Sequence, residues 1–181
     1  MESRKPGVLL IRADASLAIG TGHVKRCLAL AQAWQDAGGA ASLAVAELPE
    51  ALLPRVAAEG VSLSRVHPTP GGPEDAGETV AQAYRLGADW VVIDGDRFGS
   101  DFLATVRAAG FRVLLIDDFA DRESFPADLI VNPNLSDDGE PYRRQGATAR
   151  LLIGSSYVLL RREFRQGAEK REIAKRATES S

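Results

Sequence analysis

Short apolar runs alternate with helix-length segments along this chain, and that alternation limits its fold more than any other feature. Residues 8–12, 41–46, 62–66, 90–94, 112–116, 129–132 and 151–153 read as strands. Helices are expected near residues 23–37, 50–59, 74–86 and 99–109, the first closed by Gly38 and Gly39 and the last by Gly110. The proline- and glycine-rich residues 67–73 read as a loop. Strands alternating with helices are the mark of βαβ units. The expected class is therefore α/β, with a single Rossmann-like, doubly wound, mainly parallel sheet.

A length of 181 residues suits one domain with a real core. Residues 8–164 are expected to form it. Residues 1–7 read as a disordered start, and 165–181 as a polar linker with no apolar face to pack. The net charge of −3 makes no electrostatic case for nucleic acid. Residues 161–181 hold seven basic and four acidic side chains, which leaves −6 for the rest. One cysteine, Cys27, excludes an internal disulfide and fits a reducing compartment. No signal peptide and no apolar run of membrane-spanning length is present, so the expectation is a soluble cytoplasmic protein.

The strand ends carry the polar groups. Arg12 and Asp14, Asp94 and Asp96, Asp117 and Asp118, and Asn132 and Asn134 each follow an apolar run. In a parallel sheet these residues gather along one edge, where open α/β folds bind their ligands. Turn formation and helix capping explain any one of them, but not readily all of them together.

One strand-to-helix turn stands out, with Gly20, Thr21, Gly22 and His23 in sequence. It places a titratable ring at a helix N-terminus, where free backbone amides and the dipole favour an anion such as phosphate. The same dipole disfavours an imidazolium, which suits His23 to a base. Gly20 and Gly22 are expected to serve close backbone approach or a positive φ. A dinucleotide fingerprint would require glycine at position 25, which is Lys25, and this argues against a nicotinamide cofactor. Lys25 and Arg26 are within reach of a phosphate. Cys27 reads as a small core residue and His67 as surface. No His or Cys cluster has metal-ligand spacing, and neither a nucleophile elbow nor a P-loop is present.

From Arg12 to Ala31 the chain follows the pattern R-x-D-x-S-x-x-I-G-x-G-H-x-x-R-C-L-x-L-A. Val92, Asp94 and Gly95 come next, then Ile116, Asp117 and Asp118, then Asp128, Asn132 and Asn134, and finally Gly154, Tyr157, Arg161, Glu163 and Phe164. Over about residues 8–165 this closely resembles the amino-terminal domain of the UDP-2,4-diacetamido-2,4,6-trideoxy-β-L-altropyranose hydrolases of pseudaminic acid synthesis, with their spore-coat-polysaccharide relatives. The resemblance implies the amino-terminal lobe of a GT-B fold, similar to the UDP-N-acetylglucosamine transferase that completes the peptidoglycan lipid precursor. It implies a UDP-sugar substrate, with water attacking the anomeric carbon and UDP leaving with inversion. The family's catalytic histidine falls on His23 and its glycine turn on Gly20 and Gly22.

Asp14, Asp94 and Asp118 are then expected to orient water, histidine or sugar. Arg12, Thr21, Arg26 and Asn132 are expected to face substrate or phosphate. No cofactor or metal is required. A UDP-binding carboxyl-terminal lobe is expected in cis after the linker or from a partner chain, and this chain without it is expected to turn over negligibly. Where the hydrolases carry Asp-His-Tyr after the fourth strand, this chain has Asp94, Gly95, Asp96, Arg97 and Phe98, which leaves the sugar open. Two alternatives stand beside hydrolysis: a GT-B glycosyltransferase with a sugar or lipid acceptor, and a non-catalytic sugar-binding remnant.

Overall fold

A computed structural model of the chain describes residues 6–134 and 139–164. Its strands are β1 (Val8–Ala13), β2 (Ala40–Val45), β3 (Ser62–Arg65), β4 (Ala88–Asp94), β5 (Arg112–Ile116), β6 (Leu129–Asn132) and β7 (Arg150–Ile153). The helices are α1 (Gly22–Asp36), α2 (Leu53–Ala58), α3 (Pro73–Leu86), α4 (Ser100–Ala108) and α5 (Glu140–Arg144). All seven expected strands form, to within a residue or two at each end.

Two helical details differ from expectation. The segment near 50–59 is a 3-10 turn, Glu50–Leu52, followed by the short α2. Pro54 lacks an amide hydrogen and fits only a first helical turn, so α2 starts beside it. The helix α5 was not anticipated. It follows Gly139, at φ +89°, and carries Pro141 in its first turn.

The strands lie in the order β3-β2-β1-β4-β5-β6-β7, and every pairing is parallel. From β1 the chain winds outward through β2 and β3. It then returns through α3 to place β4 on the other side of β1. The order therefore reverses between β1 and β4. This is the topological switch point at which open α/β sheets hold ligands, beyond the carboxyl ends of the strands.

Each face of the sheet is covered. Leu9, Ile11 and Ala13 pack with Val24, Cys27, Leu28 and Ala31 of α1 and with Val56 of α2. On the opposite face Leu10, Val91 and Ile93 pack with Ala76 and Ala83 of α3 and with Phe102, Leu103 and Val106 of α4. Burial on both sides is why the central strands read as continuous apolar runs rather than alternating ones. Each such Leu or Ile contributes about 1.5–3 kcal/mol relative to an exposed side chain. Residue alternation also turns Arg12 toward the α3 face, where it is fully buried.

After β7 the chain crosses to the α1 side. Leu159 joins the core there, the Arg162 amide donates to Gln32 Oε1 at 2.7 Å, and Arg162 pairs with Asp36. At the other end, the Gly7 carbonyl accepts from Trp34 Nε1 at 2.9 Å and from the Ala40 amide at 3.0 Å. The remainder of the expected disordered start, residues 1–5, and the expected linker, 165–181, lie outside the described residues. Among the described residues no helix is long and apolar enough to cross a membrane.

Candidate functional site

Two loops meet at the switch point. The loop after β1 closes on itself, because Ser16 and Gly20 exchange backbone hydrogen bonds of 2.9 and 3.2 Å. Gly20 sits at φ +76°, where a side chain would be strained, and Leu17 at the tip is fully exposed. Gly22 needs no such freedom, since it opens α1 with helical backbone. A β-carbon there would meet nothing within 4 Å, so the glycine leaves the helix start bare. Thr21 occupies the N-cap without a side-chain hydrogen bond, and the first turn holds no acidic residue. The positive end of α1 is therefore uncapped.

His23 is half-buried on this first turn, and among the described residues its ring has no hydrogen-bond partner. It lines a cleft of about 40 Å³ with Asp14 and Ile19 from the first loop and residues 94–98 from the loop after β4. Gly95, at φ +139°, keeps the ring uncovered. A β-carbon there would come within 3.2 Å of the Phe98 ring and 3.8 Å of His23 Nδ1. Arg97 on the rim donates to Glu47 Oε1 at 2.7 Å, and this bond holds the Glu47 carboxyl below its usual range. A recess of about 400 Å³ lies on the other side of Arg97, at the start of α4, and includes Ser100, Asp101, Phe102 and Arg122.

The other expected site residues are held by protein partners. Arg12, expected beside phosphate, is instead buried and presents no surface to a ligand. Its Nε and Nη2 donate to the two oxygens of Asp75, both at 2.9 Å, and its Nη1 donates to Asp14 Oδ1 at 2.8 Å. Burial works against the guanidinium charge, and Asp75 and Asp14 more than restore it, so its pKa is raised. Arg26 was expected to reach phosphate. It instead grips both oxygens of Asp94, at 2.7 and 2.5 Å, and Asp118 Oδ1 at 2.7 Å. These bonds tie the first turns of α1 to the ends of β4 and β5.

Asp94 is fully buried in that clamp and also accepts from Cys27 Sγ at 3.3 Å. Burial first, and then the Asp94 charge, push the Cys27 thiol up. Asn132 is likewise buried rather than facing substrate. Its Nδ2 donates to the Tyr142 hydroxyl at 2.8 Å, and its Oδ1 accepts from the Asn134 amide at 2.9 Å.

The site therefore divides. Asp14, His23 and Asp94 line the cleft, with the Gly20–Thr21–Gly22 turn leading into His23, while Arg12, Arg26, Asp118 and Asn132 are paired outside its lining. Asp75 is the residue that sequence reasoning missed. Its signal was available: Asp75, Thr79 and Ala83 recur at helical spacing on the buried face of α3, and an acid on that stripe calls for a buried cation. Tyr142, which donates to Asp117 Oδ2 at 2.7 Å, and Arg122, which pairs with Asp117 and donates to the Gly95 carbonyl, were also missed. Among the described residues no group of three or more His, Cys, Asp or Glu side chains is placed to hold a metal ion.

No protein-family model and no curated protein matches the chain. Solved structures do resemble it in fold. Anabaena Alr3699/HepE, in complex with UDP and glucose, aligns at a TM-score of 0.52 with 13% identity, over 81% of this chain and 43% of that one. The same protein in complex with UDP alone gives 0.51 and 11%, over 82% and 43%. A putative oxidoreductase from Escherichia coli gives 0.50 and 16%, over 81% and 94%. The chain thus spans less than half the length of HepE. At these identities the likeness is one of fold, a Rossmann-like α/β sheet shared by proteins of different description.

Proposed function

We propose that this chain is the nucleophile-side lobe of a GT-B-like nucleotide-sugar hydrolase, with His23 as general base. The observation that carries this reading is the His23 ring, which among the described residues stands without a hydrogen-bond partner in the switch-point cleft, beside the uncapped start of α1. The likeness of fold to HepE, solved with UDP and glucose, supports a UDP-sugar as the substrate class. A diphosphate is a good leaving group, so few groups are needed. His23 takes a proton from the attacking water as its oxygen bonds the anomeric carbon. The carbon–oxygen bond to phosphate breaks, the electron pair leaves on UDP, and the configuration inverts. The bare amides of the glycine turn favour the departing anion. The lobe that grips the nucleotide is supplied in cis or by a partner chain.

One observation favours a second reading, a glycosyltransferase with a sugar or lipid acceptor. Leu17 and Phe119 stand exposed on the loops after β1 and β5, at the same edge of the sheet. Product analysis separates the two, since hydrolysis gives free sugar and transfer gives a glycoside. In the protein that carries both lobes, His23→Ala is expected to slow UDP release by about 10²–10⁴-fold. UDP release at the wild-type rate would remove His23 from the chemistry. For the 181-residue chain alone, calorimetry is expected to show weak or undetectable UDP binding. Micromolar affinity would instead place the nucleotide grip within this lobe.

A further inference from the structure

The three aspartates expected around His23 differ in what they have left to offer. Asp94 has both oxygens bonded by Arg26, and Asp118 Oδ1 is shared by Arg26 and Asn134. Asp14 is 2% exposed, and its Oδ1 accepts from Arg12 Nη1 and from the amides of Ala46 and Glu47, at 2.8, 2.7 and 3.0 Å. Its other oxygen, Oδ2, is equally buried and has no hydrogen-bond partner among the described residues. Turning the carboxylate to satisfy Oδ2 would break three good bonds to Oδ1. The Arg12 partner is itself locked by two bonds to Asp75. A buried acceptor held in place and left unpaired is costly, and such atoms point to an unfilled role.

Resting on the reading of His23 as base, we propose that Asp14 Oδ2 and His23 together hold the nucleophile, and that this nucleophile is water. Both residues wall the same cleft of about 40 Å³, closed on its apolar sides by Ile19 and Phe98. That space is large enough for an ordered water. Water also has two hydrogens, one for each acceptor. It donates one to Asp14 Oδ2 and the other to a ring nitrogen of His23, which leaves a lone pair to meet the anomeric carbon. On attack His23 keeps the proton it was offered, while Asp14 stays ionised and holds the remaining O–H. An alcohol has a single O–H and cannot satisfy both acceptors.

A crystal structure of the 181-residue chain at a resolution that places waters tests the site directly. The expected result is one water within hydrogen-bond distance of both Asp14 Oδ2 and His23, and the lack of such a shared water overturns the proposal. Kinetics on the protein with both lobes, using donors from a panel of UDP-N-acetylhexosamines, test its role. Asp14→Asn keeps an acceptor at the Oδ1 position and converts the free atom to a donor, while also removing the carboxylate charge beside Arg12. It is expected to lower kcat by about 10²-fold or more with KM little changed. In the wild type, methanol added as competitor is expected to yield free sugar only, and a methyl glycoside would overturn the assignment of water. If Asp14→Asn retains wild-type kcat while His23→Ala loses it, this inference fails and the base survives. If both variants retain it, both readings fail. Should Asp14→Asn not fold, the shared water and the methanol partition still decide.

Discussion

Arg12 and Arg26 each lie at the carboxyl edge of the sheet between two aspartates, yet the two clusters end in different states. Arg12 sits on the α3 face, fully buried, and its pair of aspartates retains one buried oxygen with no partner among the described residues. Arg26 sits on the α1 face, 21% exposed, and binds both oxygens of Asp94 as well as Asp118. In each case burial opposes the charge and the aspartates more than restore it, so both guanidinium pKa values are raised. Charge at a ligand edge is therefore not by itself a ligand site. What distinguishes the two clusters is a buried acceptor left over after the protein's own pairs have formed, since Asp118 is part-exposed and Asp14 is not.

The largest expected effect comes from the more buried cluster. Asp75→Ala removes two bonds from a guanidinium that has no access to water, and stability is expected to fall by about 3–5 kcal/mol in urea denaturation. A loss below about 1 kcal/mol would show that Arg12 finds compensation elsewhere and would erase the contrast. Arg26→Ala leaves Asp94 buried and unpaired, but at a site closer to solvent. About 2–3 kcal/mol is expected, with part recovered in the double variant with Asp94→Ala. Strict additivity would mean that Arg26 and Asp94 are not a coupled unit.

The buried Tyr142 phenol, bonded to Asp117 and Asn132, sharpens the comparison through pH. Burial raises the Tyr142 phenol above its ordinary pKa of 10, and Asn132 and Arg122 oppose the shift only in part. The folded state therefore holds this proton more tightly than the unfolded chain. The contribution is present below pH 10 and is lost as pH rises through the folded value. Tyr142→Phe is expected to flatten the decline in stability between about pH 9 and 11. Equal slopes for wild type and variant would contradict this. The smallest effect is expected at the exposed Arg162–Asp36 pair, where Asp36→Ala should cost no more than about 0.5 kcal/mol. A larger loss would mean that the segment after β7 depends on that pair to stay on α1.

Much of the fold was readable from local pattern. The seven strands, the loop at 67–73 and the stops at Gly38 and Gly110 each follow from apolar runs and glycine or proline positions. The helix α5 was not, because five residues starting with Glu140 and Pro141 give no periodicity to detect. At the site, the turn at residues 20–23 was visible because glycine and histidine between a strand and a helix is unusual. The fates of Arg12 and Asn132 were not visible. Nothing around either residue shows whether the next layer brings a partner, and Asp75 and Tyr142 arrive from α3 and α5.

The sequence by itself determined the parallel sheet and the edge at which polar groups collect, because strand alternation and strand ends are local and periodic properties. It also placed His23 at the start of a helix beyond β1. Only the tertiary structure decided which of the aspartates remains available. That choice rests on ion pairs between residues 63 and 68 positions apart, Arg12 with Asp75 and Arg26 with Asp94. Such pairs form where packing brings two buried charges together, and no local pattern records which oxygen they leave free.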